Sequence, residues 1–536
     1  MSPYLTNGRS PSPDEPAKFS PGTKVAVVGA GVSGICTAAY LLKNGADVTV
    51  FERSGVTSGV WHYDDRAPTT TKYPSEKPSA GDYVTSLPGQ FLPKTTDSKA
   101  KNGDSTHPLE SEDSDTREVS FSPPGPAYFG LRNNVPTSLL YSNLGPWPKG
   151  TEDITSHVNI QDYLQGLSKE HGVDDVTIFN TRVEDAKKSE DGSHWAIRTI
   201  THLRGDGQPR FLERNWKFDA LVVASGHYNL PRIPDTPGLA EWKAHFGDAI
   251  IHTKQYRRPE KYAGKTVLVI GGGASAYDVC RETSETAKRV IQSTRGGDFD
   301  LPPAMFPESV EHVGGIEKFV LEKDESDPSA SVKSYILLKN GEKLEGVDGI
   351  VLATGYLTSY PFLSQYHGDD VPTDEATDDI LITSEGNMVH NLHKDIFYIE
   401  DPSLSFIGVP YYTATFSLFD FQAQALARVL TGKATLPSRA SMRKEYENRV
   451  ALKGRGRKFH SLADDGLEVD YVNDLLEWVN SSLVDDKTEP LLGHSKEWLD
   501  TYRTAREQRK LLRVAKGVEP EGLWARPSDP SAGISM

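Results

Sequence analysis

The chain has 536 residues, more than one hydrophobic core usually holds, so two or more compact units are expected. Hydrophobic residues make up 37%, enough for sizeable cores, and a formal net charge of −16 argues against nucleic acid as the main partner. Two isolated cysteines, Cys36 and Cys280, exclude a disulfide scaffold, a four-ligand zinc site and Cys-x-x-Cys redox chemistry.

Residues 1–21 are polar and rich in Pro and Ser, without the apolar stretch of a signal peptide, and read as a disordered leader. Residues 24–29 (KVAVVG) form an apolar, β-rich run ending in glycine. Helical spacing follows over 32–44, and 47–52 (DVTVFE) is a second strand. Residues 64–126 are dominated by Ser, Thr, Asp, Lys and Pro. That composition cannot fill a core and reads as a partly disordered surface insertion. Order resumes near Tyr128, with an amphipathic helix over 160–170 and strands at 176–179, 194–199 and 218–224. Residues 265–270 (KTVLVI) open a second β-turn-α-β unit that closes at 290–292, and strand pattern returns at 334–338 and 349–352. From about 441 onward the chain is charged and helical. No apolar run is long enough to cross a bilayer, and a cytoplasmic, aqueous protein is expected, with homo-oligomerisation left open.

The two glycine-rich turns carry the chemistry. The first is Gly29-Ala30-Gly31-Val32-Ser33-Gly34, between a strand and a helix. Gly29 permits the tight turn, Gly31 lets backbone N–H groups approach a pyrophosphate, and Gly34 lets helix and strand pack closely. Val32 and Ser33 begin the helix, whose N-terminus favours the phosphates. Glu52 ends the second strand, where a carboxylate accepts from ribose hydroxyls. The second turn is Gly271-Gly272-Gly273-Ala274-Ser275-Ala276. Here Thr294 stands where the first unit has Glu52, and Arg295 follows it. An acid would repel a ribose 2′-phosphate, whereas Arg295 would pair with it, which favours NADP over NAD; the plainer alternative is a solvated surface arginine. Two dinucleotide sites in one chain point to NADPH in one and FAD in the other, with hydride moving between them.

With these features the chain resembles the flavin-containing monooxygenases, especially their fungal dimethylaniline-monooxygenase-like branch, from about Lys24 to Glu447. Glu52 followed by Gly59-Val60-Trp61 resembles the family's FAD-binding start, with Ser58 where a glycine is usual. Residues 246–256 (FGDAIIHTKQY) resemble its identifying motif, matching at Phe246, His252 and Tyr256, with the glycine shifted one place and Asp248 in its stead. Tyr256 leans away from the Baeyer–Villiger relatives, which carry Trp there. His252 reads as a structural linker rather than a catalytic group. Residues 348–356, containing Thr354-Gly355, resemble the family's ATG-Y segment, and 218–226 look like an earlier copy of the same link. Asn134-Val135-Pro136 resembles the N-x-P segment whose asparagine lies near the reactive face of the flavin; Asn133 is adjacent, and a turn-forming asparagine is the plainer alternative. Residues 393–422, ending at Gln422, look like the C-terminal flavin-side segment.

The resemblance implies an α/β architecture of two Rossmann-like dinucleotide-binding domains, the NADP domain inserted in the FAD domain. The expected boundaries are 22–230 and 341–445 for the FAD domain, 231–340 for the NADP domain and 446–536 for a helical extension. It implies transfer of one oxygen atom from O2 to a soft nucleophilic N or S centre of a small molecule through a flavin hydroperoxide, with Asn134 as the catalytic candidate. Baeyer–Villiger oxygenation, N-hydroxylation in a secondary-metabolite pathway, or NADPH oxidase activity are the alternatives. No metal and no membrane is implied.

Overall fold

The computed structural model describes residues 18–68, 71–82, 90–95, 114–203, 210–297, 299–322, 332–464 and 466–515. Strand Lys24–Val28 is central in a seven-stranded sheet, flanked in parallel by Asp47–Phe51 and Ala220–Val223. Its residues are apolar on both faces because both faces are covered. Val25, Val27, Val50 and Val222 meet one core, against helix Val32–Lys43 and the long helix Thr415–Leu430. Ala26, Val28, Phe51 and Leu221 meet the other, with Trp195, Ile197 and Phe218 of a four-stranded sheet. Strand Leu404–Phe406 joins the seven-stranded sheet beside Ala220–Val223, so residues late in the chain complete the first nucleotide unit.

The second unit repeats the plan. Five parallel strands run in the order Ile250–His252, Gly349–Leu352, Thr266–Ile270, Arg289–Ser293, Val310–Val313. Val267, Val269 and Val351 pack on helix Ala274–Thr283, while Leu268, Ile291 and Ile350 pack on Trp242 and Phe319. The chain enters and leaves this unit along one antiparallel pair, Leu230–Pro231 with Tyr356–Leu357.

Four expected boundaries move. The second unit does not end at 340, because Gly349–Leu352 sits inside its sheet, paired with both Thr266–Ile270 and Ile250–His252. The 445/446 boundary falls within helix Arg439–Lys453, and the next helix, Leu467–Ser481, buries Val472, Leu475, Leu476 and Val479 in the first unit's core. Residues 446–481 are therefore built into that unit, and 516–536 lie outside the described residues. Of the presumed leader, residues 1–17 lie outside the described ones, while Phe19 packs on the core and its carbonyl lies against Gly432. The flanks of the 64–126 insertion are also built in: Asp82 is buried in an ion-pair cluster, and Phe121 packs with Ile200 and Phe211. Residues 69–70, 83–89 and 96–113 lie outside the described ones.

Candidate active site

Gly29 has φ +101°, and a Cβ there would stand 2.7 Å from the Ala224 carbonyl oxygen. A methyl on Gly34 would overlap the Gly29 carbonyl. These two glycines are demanded by the turn's own packing. Gly31 differs. Added atoms there would meet only the Gly59 backbone, at 3.5 Å, and Gly31 borders a cavity of about 450 Å³. Gly31 also caps helix Val32–Lys43 without any side-chain hydrogen bond, so the first helical N–H groups keep their capacity for a ligand. Glu52 lines the same cavity. Its Oε2 accepts from Ala30 N at 2.7 Å and its Oε1 from Ser54 N at 2.8 Å, so the expected ribose acceptor also braces the turn. Val32, Ser33, Val60, Trp61 and Asn134 complete this wall. The cradle fits the adenosine-diphosphate half of FAD.

Asn133 and Asn134 both line this cavity. The Asn133 amide donates to Val135 O and Asp153 O, both at 2.7 Å, and its oxygen accepts from Thr155 N at 2.6 Å. It is spent on holding its loop, and Asn134 stands next to it in the cavity wall. Gln422 is not at the cavity. It is fully buried, accepting from Gly408 N at 3.1 Å and donating to the Tyr471 hydroxyl at 2.6 Å, so any effect on a cofactor would pass through Gly408.

The second cradle opens on a larger cleft of about 1300 Å³, lined by Gly271, Gly273, Ala274, Ser275, Arg295, Thr354 and Gly355. Gly271 has φ +133°, and a Cβ on Gly273 would meet nothing within 4 Å. Gly273 caps helix Ala274–Thr283, again with no side-chain bond. This cradle fits a second dinucleotide. Thr354 Oγ1 donates to the Arg232 carbonyl, and the Gly355 carbonyl accepts from His252 Nε2 at 3.0 Å. His252 Nδ1 accepts the Lys254 amide at 3.1 Å. Both ring nitrogens are thus engaged in the neutral form, and burial pushes the imidazole down to about 3. His252 ties the identifying motif to the link at Gly355.

Two features of this cleft were not visible in the strand-end pattern. The Asp300 side chain lies against Gly272 of the second turn and accepts, at the end of strand Arg289–Ser293, from Gly297 N at 2.8 Å and from the Thr294 hydroxyl. An acid absent at position 294 is thereby supplied six residues later. Four arginines line the same cleft, Arg232, Arg295, Arg455 and Arg457. Arg232 is pushed down to about 10, by burial first and then by Arg457 and Arg295. Arg457 comes from the charged, helical region beyond 441 and lies 4.6 Å over the Phe299 ring. Phe299 in turn stacks on Tyr412 at 5.2 Å. Only a folded chain reveals that 455–458 reach this cleft.

The two cradles open toward each other. His227, Tyr228, Tyr411 and Tyr412 line both cavities. Burial pushes His227 down to about 4, so it is neutral at ordinary pH, and it pushes Tyr412 up to about 12. The shared wall is therefore aromatic, polar at its tips and uncharged.

Comparison with known proteins agrees with this geometry. A family model described as flavin-binding monooxygenase-like matches residues 133–305 and 329–486, and one for FAD-dependent oxidoreductases matches 24–70. The chain is 40% identical over 510 residues to flavin-containing monooxygenase ustF2 of Aspergillus flavus, covering 91% of this chain and 97% of the relative. It is 30% identical to flavin-containing monooxygenase iboF of Amanita muscaria, covering 86% and 88%. The S-allyl-L-cysteine S-oxygenase structure from Allium sativum shares the fold, with TM-score 0.61, 23% identity and coverage of 92% and 94%. The chain belongs to the flavin-binding monooxygenases, oxidoreductases that use FAD.

Proposed function

We propose that this enzyme places one oxygen atom from O2 on a nitrogen or sulfur nucleophile of a small molecule. The observation that carries the reading is the pair of cradles sharing one wall, His227, Tyr228, Tyr411 and Tyr412. FAD, reduced by NADPH, supplies the oxygen activation. The chain's part is binding, orientation and exclusion of water. Gly31 and the uncapped helix behind it hold the flavin nucleotide's phosphates, and Glu52 takes its ribose. Gly271, Gly273, Ala274 and Ser275 cradle the nicotinamide dinucleotide, and Arg295 reads its 2′-phosphate. Thr354 and Gly355 fix the link between the units.

At the reacting end, Asn134 offers an amide that holds a polar group without giving up a proton. The neutral His227 and the high-lying tyrosines present donors and acceptors but no acid strong enough to protonate a soft nucleophile first. The sulfur substrate named for the Allium enzyme belongs to the class intended here. Action in the cytoplasm is part of this reading, as suits two buried, unpaired cysteines.

The test is to incubate FAD-loaded enzyme with NADPH and a panel of amines, sulfides and ketones, then seek added oxygen by mass spectrometry. Oxygenated amine or sulfide supports the reading. Lactone or ester from ketones alone, or stoichiometric hydrogen peroxide with no oxygenated product, refutes it.

A further inference from the structure

Helix Lys496–Ala515 begins beyond residue 486, where the match to the family model ends, yet it is built into the protein. Its anchor is Trp498, which is 2% exposed. The Trp498 ring stacks on His494 at 3.5 Å and on Tyr502 at 4.9 Å. His494 in turn meets Phe421 of helix Thr415–Leu430 edge-on at 4.8 Å. One turn beyond Tyr502, Arg506 donates from Nη2 to the Ala463 carbonyl at 3.1 Å.

The anchor stands behind the wall of the flavin cavity. Trp498 and Tyr502 share one apolar cluster with Leu139 and Ala414, and Val135 packs against it. The indole Nε1 donates to the Leu139 carbonyl at 3.1 Å. These contacts fall on two separate wall segments. Val135 follows Asn134, both line the cavity, and Leu139 N donates back to the Pro136 carbonyl at 2.9 Å in a tight turn. Asn133 ties the front of this loop to Asp153 and Thr155, and Trp498 ties its far end. Ala414 lies between Thr413 and Thr415, which line the cavity from the second segment. Both segments are irregular backbone at these positions, held by side chains rather than by a ladder. No described residue of helix Lys496–Ala515 lines either cavity, so whatever it contributes passes through the residues it holds.

We propose that Trp498 is a positioning residue for oxygen transfer, a brace that fixes the Asn134 loop against the segment 411–415. This rests on the reading of Asn134 as the group at the reacting end. A group that holds a reactive partner works only within a fraction of an ångström, and it keeps that tolerance only when the side chains behind it are locked by packing and hydrogen bonds. An indole supplies both, a large flat face and one directed N–H. Without the brace, O2 takes the two electrons of the NADPH hydride and two protons, one from NADPH and one from solvent, and leaves as hydrogen peroxide.

The test uses full-length, FAD-loaded enzyme with NADPH and air, and no substrate. It reads hydrogen peroxide release, flavin content by absorbance, and the visible circular dichroism of bound FAD. Trp498→Phe keeps the stack and drops the N–H; Trp498→Ala drops both. Both are expected to keep their flavin and to change its circular dichroism. Peroxide release is expected to rise about ten- to a hundredfold in Trp498→Ala and by less in Trp498→Phe, which also keeps the test readable if the alanine variant does not fold. Trp195→Phe is the control, removing a buried indole bond to Ser403 Oγ at 2.9 Å from a side chain that lines neither cavity. It should leave peroxide release and the flavin spectrum unchanged. Asn134→Ala should leak, and adding Trp498→Ala to it should leak no further. Unchanged peroxide release in both Trp498 variants overturns the proposal, as do loss of flavin in place of leakage, equal leakage from Trp195→Phe, or additive leakage in the double variant. Asn134→Ala that leaks no more than wild type would instead sink the reading of Asn134.

Discussion

Asp82→Asn tests whether the two nucleotide units depend on a buried charge cluster. Asp82 is 6% exposed and accepts a two-pronged pair from Arg53 at 2.8 and 3.0 Å. Its second oxygen also takes Lys254 Nζ at 2.6 Å, and Lys254 is 2% exposed, with its ammonium also bonded to the Asn229 carbonyl. Arg53 and Lys254 hold the Asp82 carboxyl well below the usual carboxylate range despite its burial. Burial pulls the Lys254 ammonium down, and Asp82 opposes that pull. An amide at position 82 keeps the shape and removes the charge, leaving the buried Lys254 ammonium beside the partly exposed Arg53 guanidinium with no carboxylate between them. Breaking a buried pair in this way costs about 3–5 kcal/mol. At about 2–4 °C per kcal/mol for a large domain, the melting point falls by roughly 6–20 °C. The pH sign follows from the direction of the Asp82 shift. A depressed folded pKa contributes stability above the unfolded value near 4, lost as pH falls below it. Wild type should therefore lose stability steeply below about pH 4, and Asp82→Asn should show a flatter acid limb. Thermal melts by circular dichroism from pH 3 to 8, with Lys254→Met added to the variant, complete the cycle. Asp82→Asn within about 1 kcal/mol of wild type, or no recovery when the stranded ammonium is also removed, would refute the reasoning.

Gly31→Ala should purify colourless or with a small fraction of its flavin, measured by absorbance against protein, because the methyl enters the space left for the pyrophosphate. Arg295→Ala should raise the Kd for NADPH by about tenfold or more while leaving NADH nearly unchanged, read by titration of each coenzyme; equal effects would show that Arg295 is not the 2′-phosphate reader. Glu468 is 2% exposed, accepts from Ala414 N at 2.9 Å, and is pushed up to about 7 by burial. A raised carboxyl pKa makes the folded state hold a proton that the unfolded chain releases, so stability should fall as pH rises from about 4.5 toward 7. Glu468→Gln should abolish that slope, measured as melting points between pH 4 and 8.

What the sequence made legible was local. Strand, glycine turn, helix and strand are consecutive, and KVAVVGAGVSG and KTVLVIGGGASA each announce a cradle within a dozen residues. Glu52 and Arg295 are close enough in sequence to be placed by counting. What stayed hidden was assembled from far apart. Asp82 looks like one more acid in a polar stretch until Lys254, 172 positions later, is seen to need it. Arg457 lies beyond the last motif legible in the sequence, which ends near Gln422, and only the packing of helices Arg439–Lys453 and Leu467–Ser481 on the first unit brings it to Phe299. Asn133 and Asn134 were indistinguishable because pattern gives position and not direction. The second unit ended too early because Gly349–Leu352 is a strand without its helix, and a lone apolar run does not say which sheet it joins.

The pairing of Leu230–Pro231 with Tyr356–Leu357 means that the nicotinamide unit leaves and rejoins the flavin unit at one seam. A module whose two chain crossings lie side by side is transplantable, provided its other contacts with the flavin unit, such as Lys254 with Asp82, are kept. Everything from one side of that seam to the other can be exchanged for a homologous module, with both splice points a few ångströms apart and the flavin core unbroken. Coenzyme preference could then be grafted as a block, provided the donor's loop at 295–300 still meets the recipient's Tyr412 and Arg457.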